Sequence, residues 1–361
     1  MMCLLIISCA GIQKEHAGGD ITINPLLPDS FLLSDFIEKL EVIPLQATED
    51  IHVVIDEQSK IYLFRDKIFI LDRANNALMV FSKDGAYENS IGNAGNGHGE
   101  FIELTDFAIE SNEVFILDAA KRQILKYDVE GEYISTLSYD ENFYDFIVAN
   151  RCFWFLNSPP ASKSKYFFTC IDSDGQTTNH IERGVANINK TLCGGGQVFS
   201  VAGDIVYASP RFENTIYKIN NNSIIPIVSI DFGENTCPEE ELAKVCGSEL
   251  IERYAIKTSF FASKDYLVIG YCYKDIMEKY CFIDTKDNTV SYGKPHNDFF
   301  DVKDGYPFGF YPLWGNDGYL IQKMEPYEIL GFCPALTEYD SRLKTLKDDS
   351  APVLLLYRMK R

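Results

Sequence analysis

The sequence predicts an all-β fold: a six-bladed β-propeller closed by an N-terminal strand, with two short helical insertions. Three observations predict it. First, a segment recurs. Phe69-Ile70-Leu71-Asp72 returns as Phe115-Ile116-Leu117-Asp118, and Phe81-Ser82-Lys83-Asp84-Gly85 returns as Tyr127-Asp128-Val129-Glu130-Gly131, both 46 residues on. Second, each unit consists of short apolar runs punctuated by Asp-Gly, Asn or Ser turns, the pattern of hairpin-linked strands. Third, the chain holds 25 Phe and 21 Tyr, residues that suit the half-buried surface of a strand. Four strands in about 40 to 50 residues is the period of a propeller blade.

Taken in order, the two clear copies define blades one and two. Blade three is a weaker copy, with Phe153-Trp154-Phe155-Leu156 followed by Ile171-Asp172-Ser173-Asp174-Gly175. Blade four places strands at 204–208 and 215–219, ahead of Asn220-Asn221-Asn222. Blade five places them at 266–271 and 280–284, ahead of Thr285-Lys286-Asp287-Asn288. Blade six supplies only three runs, 306–312, 319–324 and 353–359, so its fourth strand is expected from 36–45. That pairing joins the chain ends and leaves only short, protected strand edges. Two connections read as helix. Residues 238–255 open with Pro-Glu-Glu-Glu, acids suited to a first helical turn, and space Leu242, Val245, Leu250 and Ile251 helically. Residues 334–346 do the same with Leu336, Tyr339, Leu343 and Leu346.

The division expected is a signal and tether at 1–20, then one propeller domain at 21–361. The leader Met-Met-Cys-Leu-Leu-Ile-Ile-Ser-Cys ends like a bacterial lipobox, which makes Cys9 the residue to be lipidated. It departs from a signal peptide in having no Lys or Arg before its apolar run. No run approaches the 18 apolar residues of a spanning helix, so membrane contact is expected only through the anchor. The net charge is −20, from 53 acidic and 33 basic residues, which argues against a nucleic-acid partner. Cys152 with Cys170, and Cys272 with Cys281, fall where hairpin partners face each other. Each pair is read either as a disulfide of an oxidising compartment or as small buried hydrophobes. Neither the cysteines nor the five scattered histidines have metal spacing, so neither metal nor cofactor is expected.

These features together resemble the six-bladed β-propeller lipoprotein family of Bacteroides-type bacteria, distantly similar to NHL-repeat propellers. The resemblance runs from about Phe36 to Met359. It is carried by Leu40-Glu41-Val42-Ile43-Pro44-Leu45, the Phe69-Ile70-Leu71-Asp72 strand and the loop Gly95-Asn96-Gly97-His98-Gly99-Glu100-Phe101. Asn297-Asp298-Phe299 and Ala351-Pro352-Val353-Leu354-Leu355-Leu356-Tyr357 complete it. His98 stands where the family loop has Pro. The resemblance implies the fold and a cell-envelope location, lipid-anchored at the outer membrane, and transfers no catalytic residue.

Propeller geometry places second-to-third-strand loops and blade-to-blade connections on one face. Here every long segment belongs to that face: 93–104, 184–196, 232–257, 292–305 and 325–350. Long loops on a rigid scaffold are where binding resides. The same face collects Arg73, Lys121, Arg122, Lys163, Lys165, Arg211 and Lys274, a cationic rim suited to an anionic ligand. His98 and Glu100 are expected near the channel mouth, where such a pair could do acid–base work, and Asn297 and Asp298 join them as binding candidates. Asp172-Ser173-Asp174-Gly175 lacks the remaining ligands of a calcium loop and reads as a turn. The expected function is a monomeric envelope binding or scaffold protein that captures a glycan, a peptide or an envelope protein. The alternative is an NHL-like lyase or hydrolase working at the channel mouth.

Overall fold

The computed structural model describes residues 19–26, 29–46, 51–141, 143–157, 164–172, 174–182, 197–210, 213–221, 223–242, 248–275, 278–303 and 306–361. Cys9, Lys163 and Arg211 lie outside them.

The 46-residue repeat becomes two four-stranded antiparallel sheets. Blade one runs Lys60–Phe64, Lys67–Asp72, Ala77–Ser82 and Tyr87–Ile91; blade two runs Leu104–Glu110, Glu113–Asp118, Gln123–Asp128 and Tyr133–Ser138. The second strand of each is buried on both faces, because each blade packs between two others. The repeated aspartate ending that strand is a local clamp. Asp72 accepts N–H bonds from Val54 at 2.8 Å and Asn75 at 2.9 Å, and Asp118 accepts from Ile102 at 2.7 Å and Lys121 at 3.1 Å. Each carboxylate therefore ties an incoming crossover to the loop that follows its own strand.

The Gly-containing turns recur for a backbone reason. Gly85, Gly131 and Gly175 all have positive φ (86°, 99° and 77°), and each N–H closes a turn on the carbonyl three residues back. In blade three Asp172 Oδ1 accepts from the N–H groups of Asp174 and Gln176, so its carboxylate serves the turn.

Blades three to five follow the same plan, and six sheets complete the ring. Blade six is closed as expected: Ile37–Pro44 pairs antiparallel with Val353–Met359, with Val353 opposite Pro44 and Met359 opposite Ile37. Its innermost strand, however, is Trp314–Asn316, not 306–312, which forms no strand. Trp314 Nε1 and Asn316 anchor the segment by bonding Ser59 and Leu63 of blade one, an inter-blade fit that the aromatic 306–312 run did not reveal.

Two further strands precede the closure. Asp20–Thr22 adds in parallel to the outer edge of blade four, and Asp29–Leu32 does so on blade five. Both cover edges that would otherwise offer unpaired backbone groups. The first expected helix is present as Glu239–Leu242 and Ser248–Arg253. The second is two 3-10 turns, Pro334–Glu338 and Ser341–Thr345, while the α-helix of that insertion lies upstream at Pro326–Phe332. Pro326 at its first turn and the Glu325/Glu328 capping box set that start. Among the described residues no helix is long and apolar enough to cross a membrane.

The core is a ring of inter-blade clusters, joining one with two, two with three and four, four with five, five with six, and six with one. Near the axis, Gln197 exchanges two hydrogen bonds with the backbone of Gly315, and Asp317 N–H reaches Val201 O. Blades four and six are not sequential neighbours, so these contacts narrow the axial channel.

Candidate functional site

The connection from blade five to blade six forms a pocket on the elaborated face. It holds about 870 Å³, within the range of small-molecule sites. The wall is aromatic, with Phe299, Tyr306, Phe310, Tyr311 and Tyr339. Glu278, from the second-to-third-strand loop of blade five, supplies a carboxyl, and Lys294, His296, Asp298, Asp301 and Lys303 supply charge at the rim.

Glu278 owes its position to the strand that begins beside it. Tyr280 OH donates to Glu278 Oε2 at 2.5 Å, and Ser259 Oγ donates to the same oxygen at 3.4 Å. Burial pushes the Glu278 carboxyl above the usual carboxylate range, although the hydroxyls of Thr258, Tyr280 and Ser259 pull the other way. The same burial, with the carboxyl beside it, raises Tyr280 well above an ordinary phenol. Tyr311 is raised by burial and then by Glu278.

Asn297 and Asp298 do meet in this pocket, but both are engaged in building it. Asn297 donates to Gly309 O at 2.7 Å and accepts from Phe299 N at 3.0 Å, which folds the loop back on itself. Asp298 Oδ1 accepts from Ser34 N at 3.0 Å, docking the turn that leads into the closing strand. Burial works to raise its carboxyl, yet the bonds from Ser34 outweigh it and hold Asp298 low. The outer wall comes from the blade-six insertion. Phe332 stacks on Tyr306 with centroids 4.7 Å apart, Tyr306 OH donates to Glu328 at 2.9 Å, and Tyr339 OH donates to Phe299 O.

The cationic rim is differently occupied. Arg73 bonds the carbonyls of Gln58 and Thr105, linking blades one and two. Arg122 donates to Asp140 O at 3.3 Å, and Lys121 to Gly95 O and Glu100 O at 3.1 and 2.7 Å. Lys165 pairs with Glu182. These cations cap backbone acceptors or pair locally and do not converge with Asn297 and Asp298.

His98 and Glu100 are not at the channel mouth. The loop leaves the outermost strand of blade one, and His98 packs edge-on against Tyr133, in the outermost strand of blade two, at 4.7 Å. Glu100 Oε2 accepts from Gly97 N at 2.7 Å and lies so close that a Cβ on Gly95 would stand 2.1 Å from it. The glycines make room for a carboxylate that holds its own loop.

Of the cysteine pairs, the fold brings one together. Cys170 stands opposite Trp154, two residues from Cys152, so both thiols share a face and lie within hydrogen-bonding contact. Cys281 stands opposite Ile269, three residues from Cys272. That odd offset turns Cys272 and Cys281 to opposite faces, because side chains alternate along a strand. All four are buried, and none is in a disulfide.

The family described as a domain of unknown function, DUF4934, matches residues 21–358, nearly the whole chain. This chain belongs to the DUF4934 family. Its fold is similar to that of a Bacteroides fragilis protein described as exported, at TM-score 0.72 and 19% identity over 95% of this chain and 99% of that one. It is also similar to a DUF4221 member from Bacteroides vulgatus, at TM-score 0.50 and 12% identity over 90% and 97%. A virginiamycin B lyase from Staphylococcus aureus superposes at TM-score 0.41 with 14% identity over 71% and 74%, too loosely to bear on chemistry. No curated protein matches the sequence significantly.

In this DUF4934 chain Asn297 and Asp298, singled out in the sequence, line this pocket, whereas Glu278, which lines it too, was not singled out. One signal was available: a glutamate between the apolar runs 266–271 and 280–284, followed directly by Lys279 and Tyr280. Solvated hairpin loops carry glutamates routinely, so only the hydroxyl bonds and the place on the pocket wall distinguish this one.

Proposed function

We propose that this DUF4934 protein is an exported, lipid-anchored propeller that holds a small extracellular solute in the pocket between blades five and six. The observation that carries the reading is the pocket itself: about 870 Å³, walled by aromatic rings and lined by the half-buried Glu278 carboxyl. Rigid blades hold its walls, and both long insertions that form them sit on the elaborated face. The lipobox-like end at Cys9 supports export and anchoring.

The test is a thermal-shift and calorimetric panel of sugars, amino acids, amines and short peptides. Ala335 lines the pocket, so Ala335→Trp should crowd it and strongly weaken binding with little change in melting temperature. Ligands that bind Ala335→Trp as well as the natural protein would remove the pocket from consideration. For the anchor, Cys9→Ser should eliminate incorporation of a labelled fatty acid and release the protein from membranes.

A second reading, a lyase or hydrolase, draws on one observation: the raised Glu278 carboxyl held 2.5 Å from Tyr280 OH is a proton donor–acceptor pair. Conversion of a bound solute, lost in Glu278→Gln while binding persists, would favour it.

A further inference from the structure

We propose that the blade five–six pocket takes a solute bearing an ammonium group, with Glu278 as its counter-ion. This rests on the pocket being the ligand site and assigns the ligand's charge. Glu278 is a half-buried carboxyl whose partners are all neutral: the hydroxyls of Tyr280 and Ser259 donate to Oε2, and Thr258 lies beside it. The cation next in sequence, Lys279, is turned away to Tyr273 O at 3.2 Å and Asp275 at 3.1 Å. Among the described residues no Lys, Arg or His pairs with Glu278. A buried carboxylate without a cation either keeps a proton or acquires a positive partner. Because Glu278 lines an open pocket, a ligand can supply that partner.

The surroundings suit such a group. Tyr311, Tyr306 and Phe310 line the pocket and supply aromatic rings suited to cation–π contact. The other titratable groups facing the carboxyl are Tyr280 from its own hairpin, Cys272 from the strand before, and Tyr311 from the crossover. At the rim, Asp298 and Asp301 balance Lys294 and Lys303, with His296 beside Asp298, and Lys303 Nζ is directed to Gly331 O at 2.7 Å. The net charge of −20 draws cations to the whole surface. On binding, any proton held by Glu278 passes to buffer as the carboxylate pairs with the ammonium ion.

Calorimetry on the whole chain should use three probes: a glucosamine disaccharide, spermidine, and the N-acetylated disaccharide, which keeps the rings but loses the charge. Each is run in two buffers of different ionisation heat. We expect the amines to bind at least about tenfold tighter than the acetylated sugar, with proton release on binding. Glu278→Gln should remove that tenfold preference, and its melting curve reports whether it folds. Lys294→Glu, outside the hydroxyl network, should tighten amine binding about threefold or more by relieving like charge. The inference is overturned if the acetylated sugar binds as well as the amines, if no amine binds, or if Glu278→Gln leaves amine affinity unchanged. If other solutes bind and are lost in Ala335→Trp, the pocket reading stands while this one fails; if Ala335→Trp loses nothing, both fail.

Discussion

Lys60 and Asp106 stand 46 residues apart in the sequence and 2.9 Å apart in the structure. They hold equivalent positions on the innermost strands of successive blades. Lys60 Nζ also reaches Phe107 O at 2.6 Å, while the second oxygen of Asp106 accepts Phe146 N of blade three at 3.0 Å. One carboxylate thus latches three blades, and Asp106 is only 5% exposed.

Removing that carboxylate should cost more than removing its cation. Asp106→Ala leaves the half-buried Lys60 ammonium without its counter-ion and the buried Phe146 N–H without its acceptor, a loss of about 3–5 kcal/mol. Lys60→Met keeps most of the packing and leaves Asp106 its N–H partners, a loss of about 1–2 kcal/mol. Denaturant unfolding of both variants checks the order; equal small losses would refute the latch.

Phe36 should report on ring closure. Its ring stacks on Phe282 of blade five at 4.2 Å and meets Phe31 and Tyr266 edge-on at 5.3 and 5.8 Å. Phe36→Ala should lower stability by about 2–4 kcal/mol. Amide exchange should rise first along 37–44; uniform loosening of all blades would contradict a closing role.

The four paired cysteines should behave as two classes. Burial pushes the Cys170, Cys272 and Cys281 thiols up to about 12, so all should resist alkylation at neutral pH until the chain unfolds. Under a disulfide oxidant Cys152 and Cys170 alone should couple, read by peptide mass mapping. A Cys272–Cys281 crosslink in folded protein would contradict the register of blade five.

Glu278 should make the fold less stable as pH rises. Its folded pKa lies above the unfolded value, so the native state binds more protons in the window starting near the ordinary glutamate range and extending upward. Stability from this group therefore falls with increasing pH across that window. Glu278→Gln should melt higher than the natural protein at pH 8 and flatten this dependence. A variant less stable than the natural protein at pH 8 would contradict this, showing that the ionised carboxyl is favourable in the fold.

The blade count, the recurring turns and the closing strand were legible because each is a local pattern. Alternating apolar runs and positive-φ glycines encode hairpin ladders, and a missing strand at one terminus calls for a strand at the other. Asp72 and Asp118 were visible as repeats, though their clamping role needed the loop geometry. The Asp20–Thr22 and Asp29–Leu32 strands carried no comparable signal, since a short parallel edge strand is specified by the sheet it covers.

By itself, then, the sequence determined a six-bladed propeller and the face that bears its long loops. Only the tertiary structure decided what the charges on that face do. Arg73 and Lys121 read as rim cations in the sequence but lie against backbone carbonyls, whereas Glu278, which the sequence did not single out, is held half-buried by Ser259 and Tyr280. The reason is physical. Hydrogen-bond ladders within a blade follow local periodicity, but which side chains meet between blades depends on how the closed ring aligns segments far apart in the chain.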